Sequence, residues 1–184
     1  MSSSPQAQQS QVWDGTALLV IDVQQGLFKR PTPVYEAERL LENINLLADR
    51  AHQAGIPVFY VQHANKAALP EGSDDWQLHP QIRPLSTDVV IHKRQGSAFK
   101  KTPLKKELES RHVTRVVIAG LVTHGCVRAT CLDAKRLGYD VILVKDAHSN
   151  FHERAGEIID EWNQKLSEGT VELRATQEID FREG

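Results

Sequence analysis

The chain has 184 residues, 40% hydrophobic and 25% charged, enough apolar material for one ordinary domain with a substantial core. Its 22 Lys plus Arg against 24 Asp plus Glu leave a formal charge of −2, so no general basic surface for nucleic acid is expected. These figures exclude a disordered chain, a coiled coil and a disulfide-stapled miniprotein.

Residues 1–12 are polar, with neither the basic start nor the apolar stretch of a signal peptide. They read as a flexible tail, and residues 13–184 as a single domain. The run from Thr16 to Ile21, almost wholly apolar before Asp22, predicts a strand buried on both faces. From Tyr35 onward, Leu40, Ile44, Leu47 and Ala51 recur on one helical face that closes at Gly55 and Pro57. Strands follow at Val58–Val61 and Asp88–Ile91. The intervening 62–87 segment contains Pro70, Gly72, Pro80 and Pro84 and has no periodicity. Loops this long are usually functional, as lids or interface arms. Few ways of burying such an arm on its own chain are foreseen.

Thr102 and Pro103 mark the start of a helix reaching Arg111. Val113–Ala119 returns to strand. Val127, Cys131 and Ala134 share a helix face ending at Gly138. Val141–Val144 is a strand, Asn150 with Glu153 resembles a capping box for a helix through Leu166, and Thr170–Leu173 is a final strand. About six mainly parallel strands alternating with helices make an α/β fold, a three-layer doubly wound sheet. The longest apolar runs, Ala17–Ile21 and Val116–Val122, are far short of the ~20 residues that span a membrane. With two cysteines five positions apart on one helix, pointing away from each other, no disulfide is expected. A reducing, cytoplasmic setting follows.

In open α/β sheets ligands bind beyond the carboxyl ends of the strands. Asp22, Lys93 and Cys126 each follow a strand there, so an acid, an amine and a thiol converge on one edge. Each has an ordinary explanation: a turn residue, a solvated charge, a small core hydrophobe. Their coincidence points to chemistry. Cys126 stands where a helix opens, and free backbone N–H groups with a nearby ammonium favour a thiolate. Cys131 reads as core. Six basic residues (Lys93, Arg94, Lys100, Lys101, Lys105, Lys106) fall within fourteen positions and read chiefly as a solvated face, with an anionic substrate or a partner as alternatives. No GxGxxG or Walker loop is present, so no organic cofactor is expected.

Three motifs resemble the isochorismatase-like cysteine hydrolases, a superfamily that includes nicotinamidases and the N-carbamoylsarcosine and ureidoacrylate amidohydrolases. They are the 17–24 segment ending Asp22-Val23-Gln24, the 92–99 segment around Lys93, and the 120–130 segment around Cys126. The resemblance implies an Asp22–Lys93–Cys126 triad. It also implies a cis peptide at Leu121–Val122 that turns the Val122 N–H toward the Cys126 N–H as an oxyanion hole. The implied activity is cleavage of a non-peptide amide or carbamoyl C–N bond in a small molecule, by a homo-oligomer of two or more chains. Gln24, Phe28, Trp76, Phe99 and His124 are candidate substrate-binding residues. Gln24 is read as bonding the acid or the substrate, Phe28 and Trp76 as lid, core or interface aromatics, and His124 as a substrate ligand or a solvent-exposed loop residue. Asp146 reads as structural support.

Isochorismatases proper lack the nucleophilic cysteine. Nicotinamidases carry an Asp-x-His metal cluster where this chain has His63 and, sixteen residues on, His79, without the paired carboxylate. No metal is therefore expected. The rival reading is a catalytically idle binding or redox-sensing protein that keeps Cys126 as a reactive thiol.

Overall fold

The first apolar run becomes the centre of the sheet. In this computed structural model, which describes residues 13–182, β1 (Thr16–Ile21) is buried along its whole length. It is flanked by β2 (Val58–His63) and β4 (Arg115–Leu121). The strands β3 (Val89–Lys93), β5 (Asp140–Ser149) and β6 (Glu172–Arg174) complete a parallel sheet in the order β3-β2-β1-β4-β5-β6. The expected tail at residues 1–12 lies outside the described residues.

Alternation along β1 divides the core into two layers. Leu18 and Val20 face α1 (Ala37–Gln53) and its Leu40, Ile44, Leu47 and Ala51. Ala17, Leu19 and Ile21 face the opposite cluster. That cluster takes in Leu104 and Leu108 of α2 (Leu104–Ser110), Cys131 and Ala134 of α3 (Arg128–Arg136) and Leu166 of α4 (Ala155–Glu168). The α/β three-layer fold is as expected. Among the described residues no helix is long and apolar enough to cross a membrane.

Three local expectations need correction. Asn150 and Glu153 do not cap α4, whose first turn is preceded by Arg154 without a side-chain cap. The Asn150 amide instead donates toward Thr123 Oγ1 and the Ala155 carbonyl, at 3.4 Å each, because a buried polar side chain takes the partners its surroundings supply. Cys126 does not begin α3 but lies two residues before it, in a π-helical turn, Thr123–Val127, that leads directly into α3. The long segment after β2 is tied at several points to its own chain, while 83–87 stay exposed. Gln25 N donates to Gln77 O, Gly26 N to Asp75 O and His79 N to Val23 O, while Leu69 and Ile82 enter the α1-side core.

Strand order places the site. The chain runs outward from β1 to β2 and β3, then crosses back to β4 on the other side, which opens a crevice between the carboxyl ends of β1 and β4. Gly120 lets those two strands approach there. Its φ is +123°, and a Cβ would lie 2.1 Å from the Ile21 carbonyl oxygen, so only glycine fits.

Candidate active site

Asp22 leaves β1 with φ 51°, a left-handed conformation that aspartate tolerates better than most residues. Its N–H bonds the Val61 carbonyl at 2.9 Å, which anchors the kink to β2. Lys93 is the last residue of β3, and its side chain is wholly buried. The segment after it is tied to α3 by Ala98 N–H donating to Thr130 Oγ1 at 3.1 Å. The turn after β4 supplies Cys126, which is half-buried, and the Leu121–Val122 peptide just before that turn is cis.

These three side chains meet around the lysine. Lys93 Nζ donates to Asp22 Oδ2 at 3.0 Å, lies 3.1 Å from Cys126 Sγ and donates to the Gln95 carbonyl at 3.1 Å. It also lies 2.9 Å from His63 Nδ1. The second carboxylate oxygen, Asp22 Oδ1, is buried without a conventional hydrogen-bond partner. Burial raises the Asp22 pKa above the usual carboxylate range, against the pull of Lys93 and of the Cys126 S–H. Burial and the Asp22 charge push the Cys126 thiol up to about 12, outweighing Lys93. This revises the expectation of a resting thiolate. The lysine does favour the anion, but desolvation and a neighbouring carboxylate favour the thiol more. Cys131 is fully buried and likewise pushed up to about 12 by burial.

The other candidates are dispersed. The Gln24 amide is committed to backbone: Nε2 donates to His63 O at 2.9 Å and Trp76 O at 2.8 Å, and Oε1 accepts from His63 N at 2.8 Å. Trp76 packs edge-on against His92, and Phe28 lies against His79. Phe99 stacks on Tyr139 and lines a surface concavity of about 620 Å³ with Lys100, Arg128 and Leu132. His124 is exposed on the turn, near His152 and Arg128. Asp146 Oδ1 accepts from Thr176 N–H and Oγ1–H, at 2.8 Å each, the supporting role expected of it. Lys100, Lys101, Lys105 and Lys106 are exposed, so Lys93 shares only their charge.

His63 is the residue that sequence reasoning missed as a member of this group. The sequence offers it only as a lone metal ligand without a paired carboxylate, although its place at the carboxyl end of β2, in register with Lys93, is the available signal. Asp22, His63 and Cys126 offer ligand atoms within 4.8 Å of one another. They do not fit a metal ion, because Lys93 Nζ already lies 2.9–3.1 Å from an atom of each and a second cation would meet that charge at contact distance.

The isochorismatase domain family matches residues 16–158. A Bacillus subtilis protein described as the uncharacterized isochorismatase family protein YddQ is 31% identical over 72% of this chain and 76% of its own length. A streptothricin hydrolase of Streptomyces noursei is 34% identical over 73% of this chain, which spans only 50% of that protein. Among solved structures, N-carbamoylsarcosine amidase from Thermoplasma acidophilum superposes with a TM-score of 0.76 at 25% identity, covering 90% of this chain and 98% of the other.

Proposed function

This chain belongs to the isochorismatase family of hydrolases, and we propose that within it the protein is a cysteine hydrolase cleaving a non-peptide amide or carbamoyl C–N bond of a small molecule. The observation that carries the reading is the convergence of a buried carboxylate and a half-buried thiol, from separate strand ends, at 3.0–3.1 Å from the buried Lys93 Nζ. An idle binding or sensing protein has no need of a buried acid–amine pair, whose desolvation is costly. Relatives named as an amidase and a streptothricin hydrolase support the same bond class.

In this mechanism Asp22 takes the Cys126 proton as sulfur attacks the substrate carbonyl carbon. The raised basicity of Asp22 suits that task, since a carboxylate of ordinary pKa would hold a thiol proton poorly. The tetrahedral oxyanion is stabilised by the N–H groups of Val122 and Cys126. It collapses with breakage of the C–N bond, and Asp22 returns the proton to the leaving nitrogen. Water then attacks the thioester, again giving a proton to Asp22. Breakage of the C–S bond frees the acid, and the proton returns to sulfur. Lys93 transfers nothing; its charge steadies whichever of Asp22 and Cys126 is ionised.

The test is release of ammonia or amine from a panel of amides, ureas and carbamates, with mass spectrometry of the quenched enzyme. A substrate-derived acyl group on Cys126 is expected, and turnover that survives Cys126→Ala would refute the reading. Exhaustive chelation is expected to leave activity unchanged. Loss restored by zinc or manganese would reject the triad as sufficient. The assembly is read as homo-oligomeric, and light scattering giving the mass of one chain would reject that.

A further inference from the structure

An ammonium has three N–H donors and no lone pair. Lys93 Nζ nevertheless has four neighbours in bonding range: Asp22 Oδ2, Gln95 O, Cys126 Sγ and His63 Nδ1, the last the nearest at 2.9 Å. A contact between this ammonium and an imidazole nitrogen is a hydrogen bond only if that nitrogen accepts. His63 must then be neutral, with its proton on Nε2. A protonated ring would aim an N–H at the ammonium and set two positive charges within hydrogen-bond distance.

The ring is placed for this contact by backbone that cannot easily shift. The Gln24 side chain clamps the His63 N–H and C=O at once, and β3 runs beside it in register. Lys93 comes from β3, Asp22 from the end of β1, the Gln95 carbonyl from the segment after β3, and Cys126 from the turn after β4. Of these only Lys93 and Asp22 bring formal charge to the ring.

We propose that neutral His63 is the positioning residue of this site: its Nδ1 lone pair holds Lys93 against Asp22 and Cys126, and protonation of the ring releases the lysine and disables the enzyme. The proposal rests on the triad reading above. Burial and the Lys93 charge hold the His63 pKa below its ordinary value, against the pull of Asp22 and of a hydrogen bond between the ring and the Gln95 backbone. The ring therefore stays neutral at neutral pH, and activity that depends on it is lost as pH falls through a point below the ordinary histidine value.

Two measurements on the full chain decide it. Nitrogen-15 NMR at pH 7 needs no substrate and is expected to show His63 Nδ1 unprotonated and Nε2 protonated; the opposite tautomer, or an imidazolium, overturns the proposal. The second compares His63→Asn, whose Oδ1 puts a non-titrating acceptor near the Nδ1 position, with His63→Leu, which has none. On a substrate the wild type hydrolyses, His63→Leu is expected to lower kcat about tenfold or more with KM nearly unchanged, as for a lost transition-state interaction. His63→Asn is expected to keep most of kcat, with the acidic limb of its pH profile displaced downward. An acidic limb that stays in place in His63→Asn assigns it to Asp22 and overturns the proposal, as does equal impairment of both folded variants. If His63→Leu does not fold, the His63→Asn profile still decides. If no amide, urea or carbamate is turned over, the function reading fails, and the tautomer measurement still judges the lysine contact.

Discussion

Two buried polar clusters share the turn from Thr123 to Val127, and they are built on opposite principles. Around His148 every group finds a complementary neighbour. Thr123 Oγ1–H donates to Nδ1 at 2.9 Å, Nε2–H donates to Asn163 Oδ1 at 2.8 Å, and the Asn163 amide donates to the Lys145 carbonyl at 3.3 Å. The groups are neutral, and burial pushes the His148 pKa down to about 4. Around Lys93, three residues along the same turn, four neighbours compete for three protons, one carboxylate oxygen has no conventional partner, and formal charges are out of water. A satisfied network rigidifies what it touches. An oversubscribed one leaves protons and charge free to redistribute when a substrate arrives. The difference fits the proposed roles, in which one cluster supports the turn and the other reacts.

The sharpest way to break this comparison is to remove charge from the second cluster. Asp22→Asn is expected to reduce hydrolysis by about 10²–10⁴-fold, the usual range for a lost general acid–base. Its cost in urea denaturation should be small, because burial opposes the Asp22 charge more strongly than Lys93 favours it. Cys126→Ala should abolish turnover with little change in stability. If Asp22→Asn leaves hydrolysis unchanged, the two clusters do not differ in kind.

The first cluster predicts the reverse pattern. His148→Leu strands the Thr123 hydroxyl and the Asn163 amide, and should cost about 1–3 kcal/mol for each partner left unpaired, with a smaller loss of catalysis. Acid should reach the same residue. Between pH 6.5 and about 4 the unfolded chain binds a proton at His148 that the folded chain does not. Stability therefore rises with pH and is lost as pH falls through that window, by up to about 3 kcal/mol. Asp22, whose folded pKa is raised, works in the opposite sense, favouring the fold as pH falls toward its unfolded value. Denaturation midpoints at pH 7.5 and 4.5 should converge in His148→Gln relative to wild type.

Thiol chemistry separates the contributions within the reactive cluster. With its thiol pushed up to about 12, Cys126 should alkylate slowly at pH 7 and faster as pH rises. Cys131 should stay protected in the folded protein, and peptide mapping that finds Cys131 modified first would reject the assignment. Asp22→Asn removes a charge opposing the thiolate, so Cys126 should react at lower pH; Lys93→Met should act in the opposite direction. The smallest effect belongs to the exposed lysines. Lys105 meets Glu109 at 3.5 Å on the surface of α2, and Lys105→Ala should change stability by less than about 1 kcal/mol.

The periodic parts of the molecule were open to sequence reasoning. Strand and helix positions follow from patterns such as Leu40, Ile44, Leu47 and Ala51, because burial on one face selects a period. The three motif residues follow from their place at strand ends, since a parallel sheet must gather those ends on one edge. What failed were inferences that needed a neighbour distant in sequence. Asn150 has the local pattern of a cap, yet Thr123 and Ala155 take its amide. The segment after β2 looked unable to bury itself because its partners, Gln25, Gly26 and Val23, lie about fifty residues upstream. His63 carried no motif, and only its register with Lys93 pointed to it.

Residue type and local spacing brought out the alternation of elements and set Asp22, Lys93 and Cys126 at strand ends, and their reading as one triad came from the resemblance of the three motifs to a family. Tertiary structure decided the charge states. A lysine and a helix-proximal cysteine read from sequence suggest a thiolate, but desolvation and the facing carboxylate reverse that balance. Both terms act across the sheet, between groups that the linear order keeps 33 to 104 residues apart, and neither exists until the strands have brought them together.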